Sequence, residues 1–174
     1  MPPKFYTLSR LLQVATWGVI LAAPVVSLLF VGYFGPQNLP SPLSVYPKAN
    51  IVSSWQMWGV FAARAVPGLA MLYTLWKMAG LFGAFRRGEV LSETSAGFVA
   101  QIGRGLVALA VLIILCGPVQ TVMATLNNPP GSVSLEIGLS GLDIWFLIAG
   151  GLLVLIGYAL REAVRVQTEN RGFV

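Results

Sequence analysis

Residues 105–117, which read GLVALAVLIILCG, contain no charged residue and form the most apolar stretch of the chain. They lie within a longer, mostly apolar region from Phe98 to Leu126. A helix that crosses a membrane needs about 20 mainly apolar residues, because each residue adds about 1.5 Å and the hydrocarbon core is about 30 Å thick. The region therefore predicts a transmembrane helix, over about residues 102–125.

Three further apolar regions predict transmembrane helices over about residues 11–34, 57–76 and 144–160. The chain is 56% apolar and 10% charged, with a mean hydropathy of +0.78, whereas roughly a quarter of the residues in a soluble domain are charged. Four spans leave little room for a second domain. We therefore predict an all-α integral membrane protein whose residues 1–174 form one four-helix bundle domain.

The second apolar region is longer than a membrane needs. From Trp55 to Phe85 a helix would be about 46 Å long. Either the span covers residues 57–76 and a juxtamembrane helix LFGAF follows, or the span lies later and ends at Arg86. We favour the first placement, because Lys77 would then lie beside Trp76 at the membrane surface, where basic and aromatic residues anchor helices.

Basic residues predict how the helices are oriented. Nine of the 11 Lys and Arg residues fall at the N-terminus, around the connection between the second and third spans, or in the C-terminal tail, and only Lys48 and Arg64 fall on the other side. Short basic segments stay in the cytoplasm. We therefore expect a multi-pass protein of the bacterial inner membrane with both termini in the cytoplasm.

The loop after the third span suggests a small β element outside the membrane. In Val133–Ser140, apolar and polar or small residues alternate, which is the period of a strand. A single strand is unstable in water, so it would need to pair with the other outer loop, around Leu43–Tyr46.

The residue types present exclude several chemistries. The chain has no His and one Cys, Cys116, so the usual general base, the usual haem ligand and a thiolate metal site are missing. The basic residues form no stripe that would bind nucleic acid directly. We expect no catalytic residues, no metal site and no cofactor, and hence no enzymatic activity.

Arg64 and Gln120 form the candidate polar site within the membrane. A charged residue in a span costs about 2.5–3.5 kcal/mol on insertion scales, so such residues commonly bind a ligand or a partner helix. Arg64 could bind an anion or a lipid headgroup, or it could instead extend to the outer surface or cap kinked backbone near Pro67. No Asp or Glu lies within an apolar core, which argues against proton-coupled transport.

The basic inner segments KMAGLFGAFRRGE and REAVRVQTEN are candidate contact surfaces for the lipid bilayer or for a cytoplasmic partner. The residues selected for such contacts are Arg86, Arg87, Glu89, Arg161 and Arg165. Between these segments, Ser92 is a suitable N-cap for the third helix, and Asp143 is a suitable N-cap for the fourth. Small residues four apart, Ala79 with Gly83 and Gly80 with Ala84, favour close packing within the bundle.

The stretches LFGAFRRGEVLSETSAGFVAQIGRGL and GLSGLDIWFLIAGGLLVLIGYALREAVRVQTENRGFV resemble a bacterial domain-of-unknown-function family of small four-helix membrane proteins. The residues that carry the resemblance are Leu81, Phe82, Arg87, Gly88, Glu89, Ile102, Gly103, Glu169, Asn170, Phe173 and Val174. Leu91 stands where that family has an aromatic residue. Its members are often encoded beside helix-turn-helix regulators, so the resemblance implies a cytoplasmic regulator as a partner.

These observations predict a non-enzymatic inner-membrane protein that acts through protein contacts, with either a cytoplasmic regulator or a larger membrane complex as its partner. The alternative is a small transporter or a lipid- or anion-binding protein that uses Arg64.

Overall fold

The computed structural model describes residues 3–34, 54–129, 135 and 138–171. They form four helices: α1 (Pro3–Phe34), α2 (Ser54–Arg86), α3 (Glu93–Thr125) and α4 (Gly141–Arg171). All four are long and apolar enough to cross a membrane, as the sequence predicted. No strand occurs in the described residues, and most of the predicted β element lies outside them.

The end that holds residues 87–92 is the predicted cytoplasmic end and is called the inner end. Here α2 finishes in a Schellman motif: the amide of Glu89 donates to the carbonyl of Ala84 over 3.1 Å, and the amide of Gly88 donates to that of Phe85 over 3.1 Å. Gly88 has a φ of +81°, which glycine adopts without steric cost. The chain then reverses within six residues.

The next helix begins with the predicted cap. The Ser92 hydroxyl accepts a hydrogen bond from the amide of Ser95 over 3.1 Å, which confirms Ser92 as the N-cap of α3.

The start of α4 corrects the predicted cap. Ser140 immediately precedes the helix, and its amide and hydroxyl donate to the Asp143 carboxylate over 2.9 and 2.8 Å. The amide of Asp143 donates back to the Ser140 hydroxyl over 3.3 Å. Ser140 is thus the N-cap, and Asp143 is the third helical residue of a capping box. The predicted cap was therefore wrong, and the helix begins three residues earlier than that cap implies.

α2 is continuous over 33 residues, or about 50 Å, with no break before LFGAF. The Lys77 ammonium lies 4.3 Å from the centroid of the Trp76 ring and 5.2 Å from that of Tyr73. Lys77 therefore contacts Trp76, the aromatic residue beside which the sequence analysis placed it. α4 is also continuous, so the start of the polar tail is helical, as predicted.

The helices form an open row. Within the described residues, α1 contacts α2, α2 contacts α3 and α3 contacts α4, and no other pair of helices meets. A closed four-helix bundle would also bring α1 against α4. The four predicted helices are therefore arranged as an open row in the described residues, with α2 and α3 in the middle.

α3 and α4 pack through glycine. A Cβ added to Gly103 would lie 2.5 Å from the carbonyl oxygen of Gly150, and one added to Gly157 would lie 2.6 Å from the amide nitrogen of Ala100. The two antiparallel backbones touch directly, because no side chain separates them at these points.

α2 and α3 pack through small residues set against larger ones. Gly105 faces the Thr74 hydroxyl, and the Phe98 ring covers Gly80, whose added Cβ would lie 2.7 Å from that ring. Ala79 and Ala84 are buried. The small residues selected from the sequence therefore pack within the molecule.

α1 makes the least contact with its neighbour. Its buried residues are Ser9 and Thr16, and Gln13, Ile20 and Ala23 are half-buried on the same side of the helix. From Pro24 to Leu29 every residue is exposed. α1 thus packs on α2 mainly through its inner half.

Candidate functional site

The inner turn holds two of the predicted contact residues in an ion pair. The Arg87 guanidinium donates to the Glu89 carboxylate over 3.0 Å through Nε and 3.4 Å through Nη2. The hydrogen bond and the charge of Glu89 raise the pKa of Arg87. Ser92 and Ser95 hydroxyls both donate to the Glu89 carbonyl. Arg87 and Glu89 therefore bind each other within the turn between α2 and α3.

Arg86 joins the first two helices. Its Nη1 donates to the Gln13 side-chain oxygen of α1 over 2.7 Å, and Gly83 leaves space for the Gln13 amide. Because α1 contacts no other helix in the described residues, this bond is one of its few polar attachments to the row.

Arg165 is engaged along its own helix. It donates to Glu162 over 2.6 Å, and its Nε lies 3.7 Å from the Glu169 carboxylate. All three side chains are exposed, at the (i, i+3) and (i, i+4) spacings that support a helix in water. This charge ladder covers one side of α4 beyond Leu160.

Arg161 differs from the other four residues that the sequence analysis selected for contacts at the inner end. It is exposed and forms no hydrogen bond or ion pair with any residue that the structure describes. It lines a shallow open groove of about 480 Å³ between the start of α3 and the end of α4. The other lining residues are Glu93, Thr94, Gly97, Phe98 and Gln101.

The two residues of the predicted intramembrane site have different surroundings. Gln120 is 8% exposed, on α3, whereas Arg64 is exposed on α2 and forms no hydrogen bond or ion pair within the described residues. No hydrogen bond joins them, and the inner groove includes neither. The candidate polar site at Arg64 and Gln120 stays a prediction.

A buried polar cluster at the outer end was not predicted. Gln56 is 0% exposed; its amide donates to the Met123 carbonyl over 3.3 Å and its oxygen accepts from the Asn127 amide over 2.6 Å. The neighbouring Thr125 hydroxyl donates to the Thr121 carbonyl over 2.8 Å. The sequence could have indicated this cluster. Consecutive spans run in opposite directions, so the start of the second span and the end of the third lie on the same side of the membrane. The cluster joins α2 to α3.

In the described residues no group of three or more His, Cys, Asp or Glu side chains could hold a metal ion. The arrangement at the inner end consists of ion pairs, caps and one open groove.

Residues 13–171 match the family described as protein of unknown function (DUF2975). The chain belongs to this family. The match agrees with the resemblance to a domain-of-unknown-function family of four-helix membrane proteins. No curated protein and no solved structure matches the chain at a significant level.

In this DUF2975 chain four of the residues that carry the resemblance can be placed in the described structure. Gly88 supplies the left-handed backbone of the inner turn, and Gly103 lets α3 touch α4. Ile102 is 7% exposed, and Glu169 ends the charge ladder with Arg165. Gly88, Ile102 and Gly103 therefore belong to the packing of the helices and to their connection, whereas Glu169 lies on the exposed end of α4.

Proposed function

We propose that this protein is a non-enzymatic, multi-pass protein of the bacterial inner membrane that acts by binding another protein at its cytoplasmic inner end. The partner is a soluble regulator or a subunit of a larger membrane complex. The observation that carries the proposal is the projection of α4 beyond α3.

The length of this projection follows from the antiparallel packing. Ala100 of α3 lies against Gly157 of α4, so Glu93, seven residues earlier, lies level with Val164. Residues 165–171 have no α3 residue beside them and extend about 10 Å further. The side chains of residues 165–169 are all exposed.

The surface of the projection suits a protein partner. Val166 is 46% exposed, and the exposed Ala163 precedes it by three residues on the same side. The charged residues Glu162, Arg165 and Glu169 border this apolar pair along one side. Exposed apolar residues beside charged ones on a regular helix are typical of a helix that docks into a groove of another protein.

The test is recovery of a partner from membranes in mild detergent, using a tag on the full-length chain. We expect one protein to copurify in a fixed ratio. Val166→Glu should reduce its recovery by about tenfold, the scale of losing one apolar anchor. Thr168→Glu adds the same charge about 200° around the helix and serves as the matched control, which should retain the partner.

Two results would count against the proposal. One is repeated recovery of the intact chain alone. The other is equal loss of the partner from both variants while both remain folded, which would indicate a general effect of charge and not a docking surface at Val166.

A further inference from the structure

The groove between the start of α3 and the end of α4 carries two opposite charges that do not pair with each other. Arg161 lies on α4 and Glu93 on α3, and neither forms a hydrogen bond or ion pair with any described residue. The other three arginines selected for inner contacts, by contrast, are held by neighbours: Arg86 by Gln13, Arg87 by Glu89, and Arg165 by Glu162 and Glu169.

Arg161 lies beside the backbone of α3 in this groove. Gly97 is buried, and a Cβ added there would lie 3.6 Å from Nη2 of Arg161, which is an ordinary van der Waals distance, so the guanidinium lies close to the backbone of α3. Gln101 adds an amide one turn along α3. The Phe98 ring forms an apolar wall and is fixed, because it also covers Gly80.

We propose that this groove binds the headgroup of a phospholipid that carries phosphoethanolamine. The Arg161 guanidinium and the Gln101 amide would donate to the phosphate, whose oxygens suit the guanidinium fork. The Glu93 carboxylate would accept a hydrogen bond from the primary ammonium. Phe98 would contact the glycerol and the first part of an acyl chain.

The charges select this headgroup over two others. A lipid with phosphoglycerol brings a net negative charge to a groove whose own charges sum to zero, so it gains no net attraction. Phosphocholine has the same phosphate, but its quaternary ammonium has no N–H to donate to Glu93. The position also fits, because Arg161 directly follows the predicted end of the fourth span at Leu160.

The experiment measures which lipids the full-length protein retains from detergent micelles that contain equal amounts of phosphatidylethanolamine, phosphatidylcholine and phosphatidylglycerol, with native mass spectrometry as the readout. We expect retention of phosphatidylethanolamine to exceed that of the other two by about threefold, the scale of one exposed charge-assisted hydrogen bond.

Two variants test separately the contact to the ammonium and the contact to the phosphate of the headgroup. Glu93→Gln should lower phosphatidylethanolamine to the level of phosphatidylcholine and raise phosphatidylglycerol. Arg161→Gln should lower the retention of all three. The controls, Glu162→Gln and Arg165→Gln, make the same charge changes at α4 side chains that do not line the groove and should leave the preference intact.

The inference fails if the wild-type protein shows no preference for phosphatidylethanolamine. It also fails if the controls reduce lipid retention as much as Glu93→Gln and Arg161→Gln do, since net charge alone would then explain the binding. Phosphatidylglycerol as the lipid retained most would identify a basic surface and overturn the role of Glu93. The outcome is independent of whether a protein partner binds at Val166.

Discussion

The two end helices of the row are attached in contrasting ways. α4 meets α3 backbone to backbone at Gly103, Gly150 and Gly157. α1 meets α2 through side chains, including the bond from Arg86 to Gln13, and its residues from Pro24 to Leu29 are exposed. The interface between α3 and α4 depends on close backbone packing and leaves no space for an added methyl group. The interface between α1 and α2 depends on polar side chains that can change conformation. We therefore expect them to respond very differently to small changes.

The largest effect should follow Gly103→Ala. The added methyl group would lie 2.5 Å from the Gly150 carbonyl oxygen and 2.6 Å from the Val154 amide nitrogen, and both are backbone atoms that cannot rotate away. We expect a loss of about 1–3 kcal/mol in stability, measured by thermal unfolding of the purified protein in detergent.

The matched control for Gly103→Ala is Gly151→Ala, because an added Cβ at Gly151 meets nothing within 4 Å. This control should unfold at or slightly above the wild-type temperature. If both substitutions destabilise equally, the close contact between α3 and α4 is not what holds α4 in place.

An intermediate effect should follow Gly105→Ala, between the two middle helices. The added methyl group would collide with the Thr74 side chain, which can be shortened. We expect a loss of about 1 kcal/mol, most of which Thr74→Ala should restore in the double variant. Additive losses in this double-mutant cycle would contradict a direct contact between the two residues.

The smallest effect should follow Gln13→Leu, at the interface of α1. The substitution removes the acceptor for Arg86, but Arg86 is exposed and can bind water instead. We expect a change of no more than about 1 kcal/mol in the same unfolding measurement. A loss larger than that of Gly103→Ala would reverse the proposed ranking of the two interfaces.

The helices themselves were predictable because hydrophobic length is a local property. Runs of apolar residues located all four helices, and Ser92 was identified as a cap from its position before a helical run. The continuity of α2 was harder to predict, because the sequence allowed a break before LFGAF and lipid tolerates several placements of a long helix.

The pairing of the helices was not predictable in the same way. Closing a bundle requires α1 and α4 to prefer each other to lipid, and since lipid is as apolar as their side chains, hydrophobicity gives no indication. Gly150 and Gly157, seven residues apart, did carry a signal for close packing on one side of α4. The selected pairs on α2 were instead adjacent to Phe98 and Gln13.

The candidate contact residues were identified by charge, which does not reveal whether a charge is already engaged. Of the five inner residues, only Arg161 has no partner in the described residues. Glu93 was not among them, and its position in the first turn of α3, where a carboxylate suits the helix dipole, does not by itself indicate a ligand. Its place across the groove from Arg161 emerges only from the packing of α3 against α4.

The tight reversal between α2 and α3 limits how the protein can be engineered. Gly88, the caps and the Arg87–Glu89 pair occupy the whole connection, so an epitope or a fluorescent reporter inserted there would have to unwind a helix end. If the gene were split at this point, the two polypeptides would lack the covalent connection that holds α2 and α3 in register.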